Sequence, residues 1–181
     1  TNLESVVIPS SVTSIGDCAF QDIKNSAKVY NADKTILCHE DTTQTSFIVP
    51  DGVTTILGGA FSEDAYSTST LESITLPSSL VTIGSSAFYY NSALKSMVLP
   101  EGVTTLGSYA FGRCTSLESI ELPSTLTSIG SYALYYCTSL TTIKYNGTLS
   151  QWSVIGKGSS WHSNVPSATV VTCTDGDAPL K

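Results

Sequence analysis

Leu71, Leu94, Leu117 and Leu140 lie 23 residues apart, and the first three open the same order of residue types. Each run passes through a serine and two apolar positions to a proline, then to a valine or leucine, an isoleucine-glycine or leucine-glycine pair, and alanine followed by phenylalanine or leucine. Self-similarity at this period specifies a stack of coils, because one coil cannot bury its own apolar row and its neighbours must do so. Function in such a chain is sought on an extended surface before it is sought in a pocket.

Prolines set the register. Pro9, Pro50, Pro77, Pro100 and Pro123 are each followed ten residues later by Ala19, Ala60, Ala87, Ala110 and Ala133. Phe20, Phe61, Phe88 and Phe111 come next, with Leu134 in the fifth coil. Within one coil, Leu71, Ile74 and Leu76 have the spacing of a short strand facing the core, leaving Ser73 and Thr75 outward. Pro77 cannot donate to a ladder and ends the strand. Leu80 and Ile83 return to the core, Gly84 suits a tight bend, and Ala87 with Phe88 fill the narrow far side. The predicted architecture is a β-rich solenoid of stacked ~23-residue coils with short parallel strands and short helical turns. At about 4.8 Å per parallel strand, five coils span on the order of 25 Å.

The period is broken twice. Extra residues near 28–46, where Val29-Tyr30 and Ile36-Leu37 flank Asn31 to Thr35, read as a β-hairpin protruding from the solenoid. Residues 65–70 read as a Ser/Thr loop. The coils are expected to fill residues 1–145 and a C-terminal cap and tail residues 146–181. In the cap, Ser150 to Ile155 read as a short amphipathic helix, and Trp161 follows a Gly/Ser stretch. The β-branched run Ala168 to Cys173 reads as a final strand before an Asp175-Gly176 turn. Two tryptophans suit a lid over the apolar end of the stack. No comparable cap precedes Leu3, so the full protein is expected to continue N-terminally.

Charged residues are only 13% of the 181, so serine and threonine supply most exposed polarity. With a net charge of −7 and no lysine cluster, a basic stripe for nucleic acid is excluded. No apolar run approaches the roughly 18 residues of a membrane-spanning helix. A chain that starts at Thr1 shows no leader, which says nothing about export. Five cysteines are an odd number. Cys114 and Cys137 share one coil position with Asn91, which predicts a buried column of small side chains holding free thiols; a disulfide between coils would have to fit a narrow Cα window. Cys18, Cys38 and Cys173 show no pairing pattern.

No catalytic constellation is found. The two histidines, His39 and His162, lack a nucleophile at useful spacing, and His39 and Cys38 are adjacent strand residues that face opposite ways. Gly156-Lys157-Gly158-Ser159 lacks the first glycine of a phosphate loop and reads as a flexible cap loop. Asp175-Gly176-Asp177 has too few ligands for calcium and reads as a terminal turn. Glu118 and Glu121 fall on opposite sides of a strand, unlike a glycosidase pair. Neither a metal site nor a cofactor is expected.

The recurring surface feature is tyrosine. Tyr89, Tyr90, Tyr135 and Tyr136 follow the Ala-Phe or Ala-Leu pair in the third and fifth coils, Gly112 and Arg113 fill those positions in the fourth, and Tyr109 and Tyr132 precede the alanine. Six tyrosines therefore gather on one edge of three coils. They either seal the core at the turn or form a recognition surface, for which tyrosine supplies contact area and a hydroxyl; both can hold together.

The stretches LKSMVLPEGVTTLGSYAFGRC (Leu94 to Cys114) and LESIELPSTLTSIGSYALYYC (Leu117 to Cys137) closely resemble the BspA-like leucine-rich repeats of bacterial surface proteins. The hairpin with Tyr30 to Asp33 and the Tyr145-Asn146-Gly147-Thr148 start of the cap look like elements of the same family. The resemblance implies a leucine-rich-repeat solenoid and a non-enzymatic, extracellular or cell-surface module that adheres to a host or microbial surface protein. It implies no ligand residue, so the tyrosine edge rests on this sequence's own pattern. The alternatives are a carbohydrate-recognition or targeting module of a larger enzyme, with a glycan as partner, and a passive spacer.

Overall fold

The computed structural model describes residues 7–9, 29–39, 44–63 and 69–180. Ala19, Phe20 and Cys18 of the first expected coil lie outside them, as do Leu3 and most of the 65–70 loop. The strands, in chain order, are β1 Val7–Ile8, β2 Val29–Asn31, β3 Ile36–His39, β4 Ser46–Ile48, β5 Thr55–Ile56, β6 Ser73–Thr75, β7 Thr82–Ile83, β8 Ser96–Val98, β9 Thr105–Leu106, β10 Ser119–Leu122, β11 Ser128–Ile129 and β12 Thr142–Tyr145. The helix α1 Leu149–Val154 follows, then β13 Gly156–Lys157, β14 Val170–Cys173 and β15 Gly176–Ala178.

Each coil contributes two short strands and a run of turns, so the solenoid has three sides. One side is an eight-stranded sheet in the order β1-β2-β3-β5-β7-β9-β11-β13. A second is made by the pair β4-β6 and the five-stranded sheet β8-β10-β12-β14-β15. The repeat length is visible as register: Thr82 pairs with Thr105 and Thr105 with Ser128, while Ser96 pairs with Ser119 and Ser119 with Thr142, always 23 residues on. The strands β4, β6, β8 and β10 stay short because Pro50, Pro77, Pro100 and Pro123 follow them. The Pro77, Pro100 and Pro123 carbonyls then accept from the amides of Leu80, Val103 and Leu126 at 3.1, 3.0 and 3.2 Å, which turns the chain onto the next side.

The third side consists of successive three-residue turns. Tyr89 N–H donates to the Ser86 carbonyl at 3.1 Å and Asn91 N–H to that of Phe88 at 3.3 Å. Alternate amides reach the neighbouring coil instead: Phe88 N–H donates to Ala110 O and Phe111 N–H to Ala133 O, both at 2.8 Å. Among the described residues α1 is the one α-helix, so the expected helical turns are single turns shared between coils.

Inside, the repeat becomes columns. Phe61, Phe88 and Phe111 stack with centroids 5.0 Å apart and rings within 12° of parallel, and all three are buried. Leucine columns run beside them through Leu71, Leu94, Leu117 and Leu140. The small-residue column is a polar ladder as well. Asn91 Nδ2 donates to Phe61 O at 2.7 Å, Cys114 Sγ to Phe88 O at 3.2 Å and Cys137 Sγ to Phe111 O at 3.1 Å. The Asn91 amide serves the Phe61 carbonyl, and the two thiols give the Phe88 and Phe111 carbonyls a second donor beside the backbone amides of Asn91 and Cys114. Cys38, Cys114, Cys137 and Cys173 are free thiols.

Burial pushes the Cys137 thiol up to about 12 and the Cys114 thiol well above its ordinary value of 9.0. The folded state then keeps protons that the unfolded chain releases. This contribution to stability is therefore complete below about pH 9 and is lost as pH rises toward about 12. The expected result is that iodoacetamide at pH 8 leaves Cys114 and Cys137 unmodified in the native protein and alkylates both in guanidinium. Native labelling of either at the denatured rate would contradict the ladder.

Several expectations are corrected by the structure. The hairpin does not protrude: β2 pairs in parallel with β1 and β3 in parallel with β5, so the inserted residues form two rungs of the eight-stranded sheet. An alternating strand with apolar residues on both faces finds two cores there. Leu37 enters the main core, while Cys38 joins Ile8, Val29 and Leu57 in a smaller cluster with Ile36 against it. Gly84 is not required by a bend, since its φ is not positive; a Cβ on it would lie 2.4 Å from Gly58 N. Gly107, Gly130 and Gly158 show the same close approach, so this glycine column is a matter of coil-to-coil contact. Leu57 takes the column position in the coil beneath and turns outward to the smaller cluster.

Residues 146–180, expected as a cap, continue the stack with β13 on β11 and β14 on β12. α1 begins with a capping box in which Gln151 N–H donates to Thr148 Oγ1 and Thr148 N–H to Gln151 Oε1. Gly156-Lys157 is strand β13 on β11, a rung of the sheet and not a flexible loop. Lys157 Nζ donates to Trp152 O at 2.6 Å and lies 4.3 Å from the Trp152 ring centroid, tying α1 to that rung. Trp152 and Trp161 are both buried, 5.8 Å apart, and Trp152 also meets Tyr145. Nor does the chain end in a terminal turn. Asp175 helps form a hairpin between β14 and a further antiparallel strand, β15, and its Oδ1 accepts from Leu149 N–H at 2.7 Å.

Candidate binding surface

Stacking places all six sequence-predicted tyrosines in one connected cluster on the turn side. Tyr109 and Tyr132 stack at 4.9 Å, and Tyr89 and Tyr135 meet Tyr109 edge-on at 5.9 and 6.1 Å. Tyr90 contacts Tyr89 at 4.7 Å, and Tyr136 contacts Tyr135 at 5.6 Å. None of the six is fully buried, and Tyr136 is the most exposed of them at 37%. The rings pack on one another above the phenylalanine stack, so sealing the turn accounts for part of each side chain and leaves a hydroxyl-bearing rim in solvent.

Arg113 is the residue that sequence reasoning passed over. It interrupts the tyrosine pattern, but the 23-residue register sets it between Tyr90 and Tyr136. Its guanidinium carbon lies 4.9 Å from the Tyr136 ring centroid, 5.2 Å from Tyr90 and 5.5 Å from Tyr135. The preceding Gly112 makes room, since a Cβ there would come within 2.8 Å of the Tyr89 ring that lies over it. The interruption is thus the centre of the cluster. A cation one repeat from two tyrosines was the available signal.

Burial alone would lower the Arg113 pKa, but Tyr90, Tyr89 and Tyr135 outweigh it and move it upward. The ion pairs among the described residues are Lys95 with Glu72 and Lys144 with Glu121, and no carboxylate pairs with Arg113. Its Nε is buried without a hydrogen-bond partner. The Tyr109 phenol is also moved upward, by burial and then by Tyr132, Tyr89 and Tyr135.

The backbone here is costly. Tyr90, Arg113 and Tyr136 have φ of 63°, 61° and 61°, and Tyr109 and Tyr132 have 55° and 58°. The coil itself demands this left-handed turn, which Ser86, Ser160 and Asn164 also adopt and which Gly59 adopts at 75°. Glycine or asparagine would meet the demand at lower cost, whereas an ordinary side chain loses about 1–2 kcal/mol per residue. Ring contacts of roughly 0.5–1.5 kcal/mol offset part of that.

Other surfaces carry less chemistry. A groove of about 290 Å³ opens between β6 and β8, lined by Ile74, Leu76, Val98 and Pro100 among others, where the second side of the solenoid is not continuously paired. His162 packs edge-on against Trp161 at 4.8 Å. The His39 side chain lies outside the described residues. Burial pushes the Cys38 thiol up to about 11, which keeps it protonated at neutral pH. Glu101 and Glu121 share Asn146 Nδ2 as donor, a structural link between coils. Among the described residues no group of three histidine, cysteine or carboxylate side chains could hold a metal ion, and no helix is long and apolar enough to cross a membrane.

Coils of this length, with outer strands ended by proline and a stacked aromatic far side, define a leucine-rich repeat solenoid. The BspA type leucine rich repeat region matches residues 1–42 and 35–154, in six copies, and the chain belongs to that family. A leucine-rich repeat protein from Eubacterium ventriosum is similar over 98% of this chain and 60% of its own, at 21% identity and a TM-score of 0.63. A leucine rich cell surface protein from Faecalibacterium prausnitzii is similar over 86% of this chain and 51% of its own, at 27% identity and a TM-score of 0.59. The pneumococcal vaccine antigen PcpA is similar over 96% and 51%, at 22% identity and a TM-score of 0.54. The chain thus spans between half and three fifths of the solved structures it matches. No curated protein sequence matches it significantly.

Proposed function

We propose that this chain is a non-enzymatic, extracellular or cell-surface binding module that adheres to a protein partner through the tyrosine–arginine edge. The observation that carries this reading is the cluster itself: six partly exposed tyrosines with one cation that has no carboxylate partner among the described residues, the cation and four of the tyrosines held in a left-handed backbone conformation that glycine or asparagine would adopt at lower cost. Tyrosine and arginine are the side chains over-represented at the energetic centres of protein interfaces. Family membership supports a binding role, and the description of the Faecalibacterium relative as a cell surface protein supports display outside the cell.

The edge is less suited to the carbohydrate alternative, because Tyr109 and Tyr132 cover each other's faces and Tyr89 and Tyr135 are turned edge-on to Tyr109. Sugar stacking needs an open ring face. The test is binding of the purified chain to arrays of host matrix proteins and of glycans, beside a variant with Tyr89, Tyr109, Tyr132 and Tyr135 changed to serine, both shown to be folded by circular dichroism. At least one protein signal is expected, weakened tenfold or more in the variant, on the scale of one or two interface hot spots. Equal protein binding by both chains, or no binding by either, would sink the edge as a protein-recognition surface.

A further inference from the structure

Arg113 has what an anion receptor requires and lacks what a structural arginine has. A structural arginine is paired; this one has tyrosine rings on several sides and no carboxylate partner among the described residues. Its Nε is buried, and its rotamer is fixed by Tyr90 and Tyr136 from the adjoining coils, so less freedom remains to be lost on binding. The guanidinium is planar and its donors form a fork that matches a carboxylate. The surroundings supply phenol hydroxyls, which donate to or accept from the same group.

We infer that the Arg113 guanidinium, held between Tyr90, Tyr135 and Tyr136, receives an aspartate or glutamate side chain of the protein partner. This rests on the reading of the tyrosine edge as the recognition surface. A protein carboxylate is favoured over an acidic polysaccharide on two grounds. The site offers one cation on a chain whose net charge is −7, so a polyanion would gain a single contact against general repulsion, whereas one acidic side chain in a mixed surface would not. Tyr109 and Tyr132 each cover a face of the other and Tyr135 stands edge-on to Tyr132, which reduces the open ring face a sugar would stack on.

The test begins by selecting a random peptide library on the full chain and using the selected peptides, amide-capped, as probes. Peptides displaced by the Tyr136→Asn change are expected to carry a fixed Asp or Glu. Replacing that residue by its amide, or Arg113 by Gln, is expected to weaken binding roughly tenfold to a hundredfold, and the two changes together no more than either alone. Arg113→Lys keeps the charge but not the fork and is expected to restore less than half of the loss in binding free energy. Peptides that depend on Tyr136 but not on an acidic residue would leave the edge standing and overturn the carboxylate receptor. Peptides that ignore Tyr136, Tyr90 and Tyr135 altogether would overturn the edge. Binding of sialic acid or uronate oligosaccharides that is abolished by Arg113→Gln, with no acidic peptide bound, would overturn the protein assignment.

Discussion

Phe88→Ala lowers the unfolding free energy by about 3–5 kcal/mol. Phe88 is buried and sandwiched between Phe61 and Phe111 at 5.0 Å on either side, so truncation empties the centre of a three-ring stack and not its end. The surrounding backbone cannot collapse into the gap, because Phe88 N–H and the Ala87 carbonyl are tied to the coils on opposite sides. In a solenoid the loss is felt at two interfaces, since each coil is stabilised by its nearest neighbours. Urea unfolding followed by circular dichroism reads the change. A loss below about 1 kcal/mol would mean that the phenylalanine column is not the core register.

Gly130→Ala is the opposite experiment, the addition of one methyl group, and is expected to cost about 3 kcal/mol, the upper end for overpacking. The new Cβ would lie 2.3 Å from Ser108 N and 2.5 Å from Gly107 C, both backbone atoms that cannot rotate away. Separating the coils to admit it would stretch the Gly130 N–H bond to Leu106 O, now 2.7 Å. Gly156→Ala is the control, because its nearest neighbour, Thr127 O, is at an ordinary 3.6 Å. Equal stability of the two alanine variants in the same urea titration would refute the account of the glycine column as a contact between coils.

That column shows where sequence reading reaches and where it stops. A 23-residue period assigns the recurring leucines, prolines and phenylalanines of the coils to columns, because a stack repeats the same environment at each step. It also placed Asn91, Cys114 and Cys137 together, which the structure resolves into a hydrogen-bond ladder. What the period does not carry is contact between coils. Gly84 looks like a bend within one coil until the Gly58 backbone is seen 2.4 Å from its absent Cβ. The inserted hairpin has no counterpart one repeat away, so its pairing with β1 and β5 is decided by the sheet edges it meets. Gly156-Lys157-Gly158 has loop composition, yet the free edge of β11 makes it a strand.

The candidate surface was legible to the same depth. Tyr89, Tyr90, Tyr109, Tyr132, Tyr135 and Tyr136 were identifiable as one edge, whereas Arg113 read as an interruption because a cation between tyrosines has meaning only after stacking. The positive φ of Tyr90, Tyr109, Arg113, Tyr132 and Tyr136 is likewise a property of the coil, which the sequence does not print at positions where tyrosine or arginine stands in place of glycine.

The most direct test of the edge replaces Tyr90, Arg113 and Tyr136 together by asparagine, a residue suited to their left-handed backbone, and measures urea stability and partner binding on the same preparation. If these side chains serve recognition, stability changes by less than about 1 kcal/mol, since cation–π contacts of about 0.5–1 kcal/mol are lost while backbone strain is relieved, and binding falls at least tenfold. A variant that binds as the parent chain does, or one that loses several kcal/mol of stability, would show that the cluster is there to seal the coil.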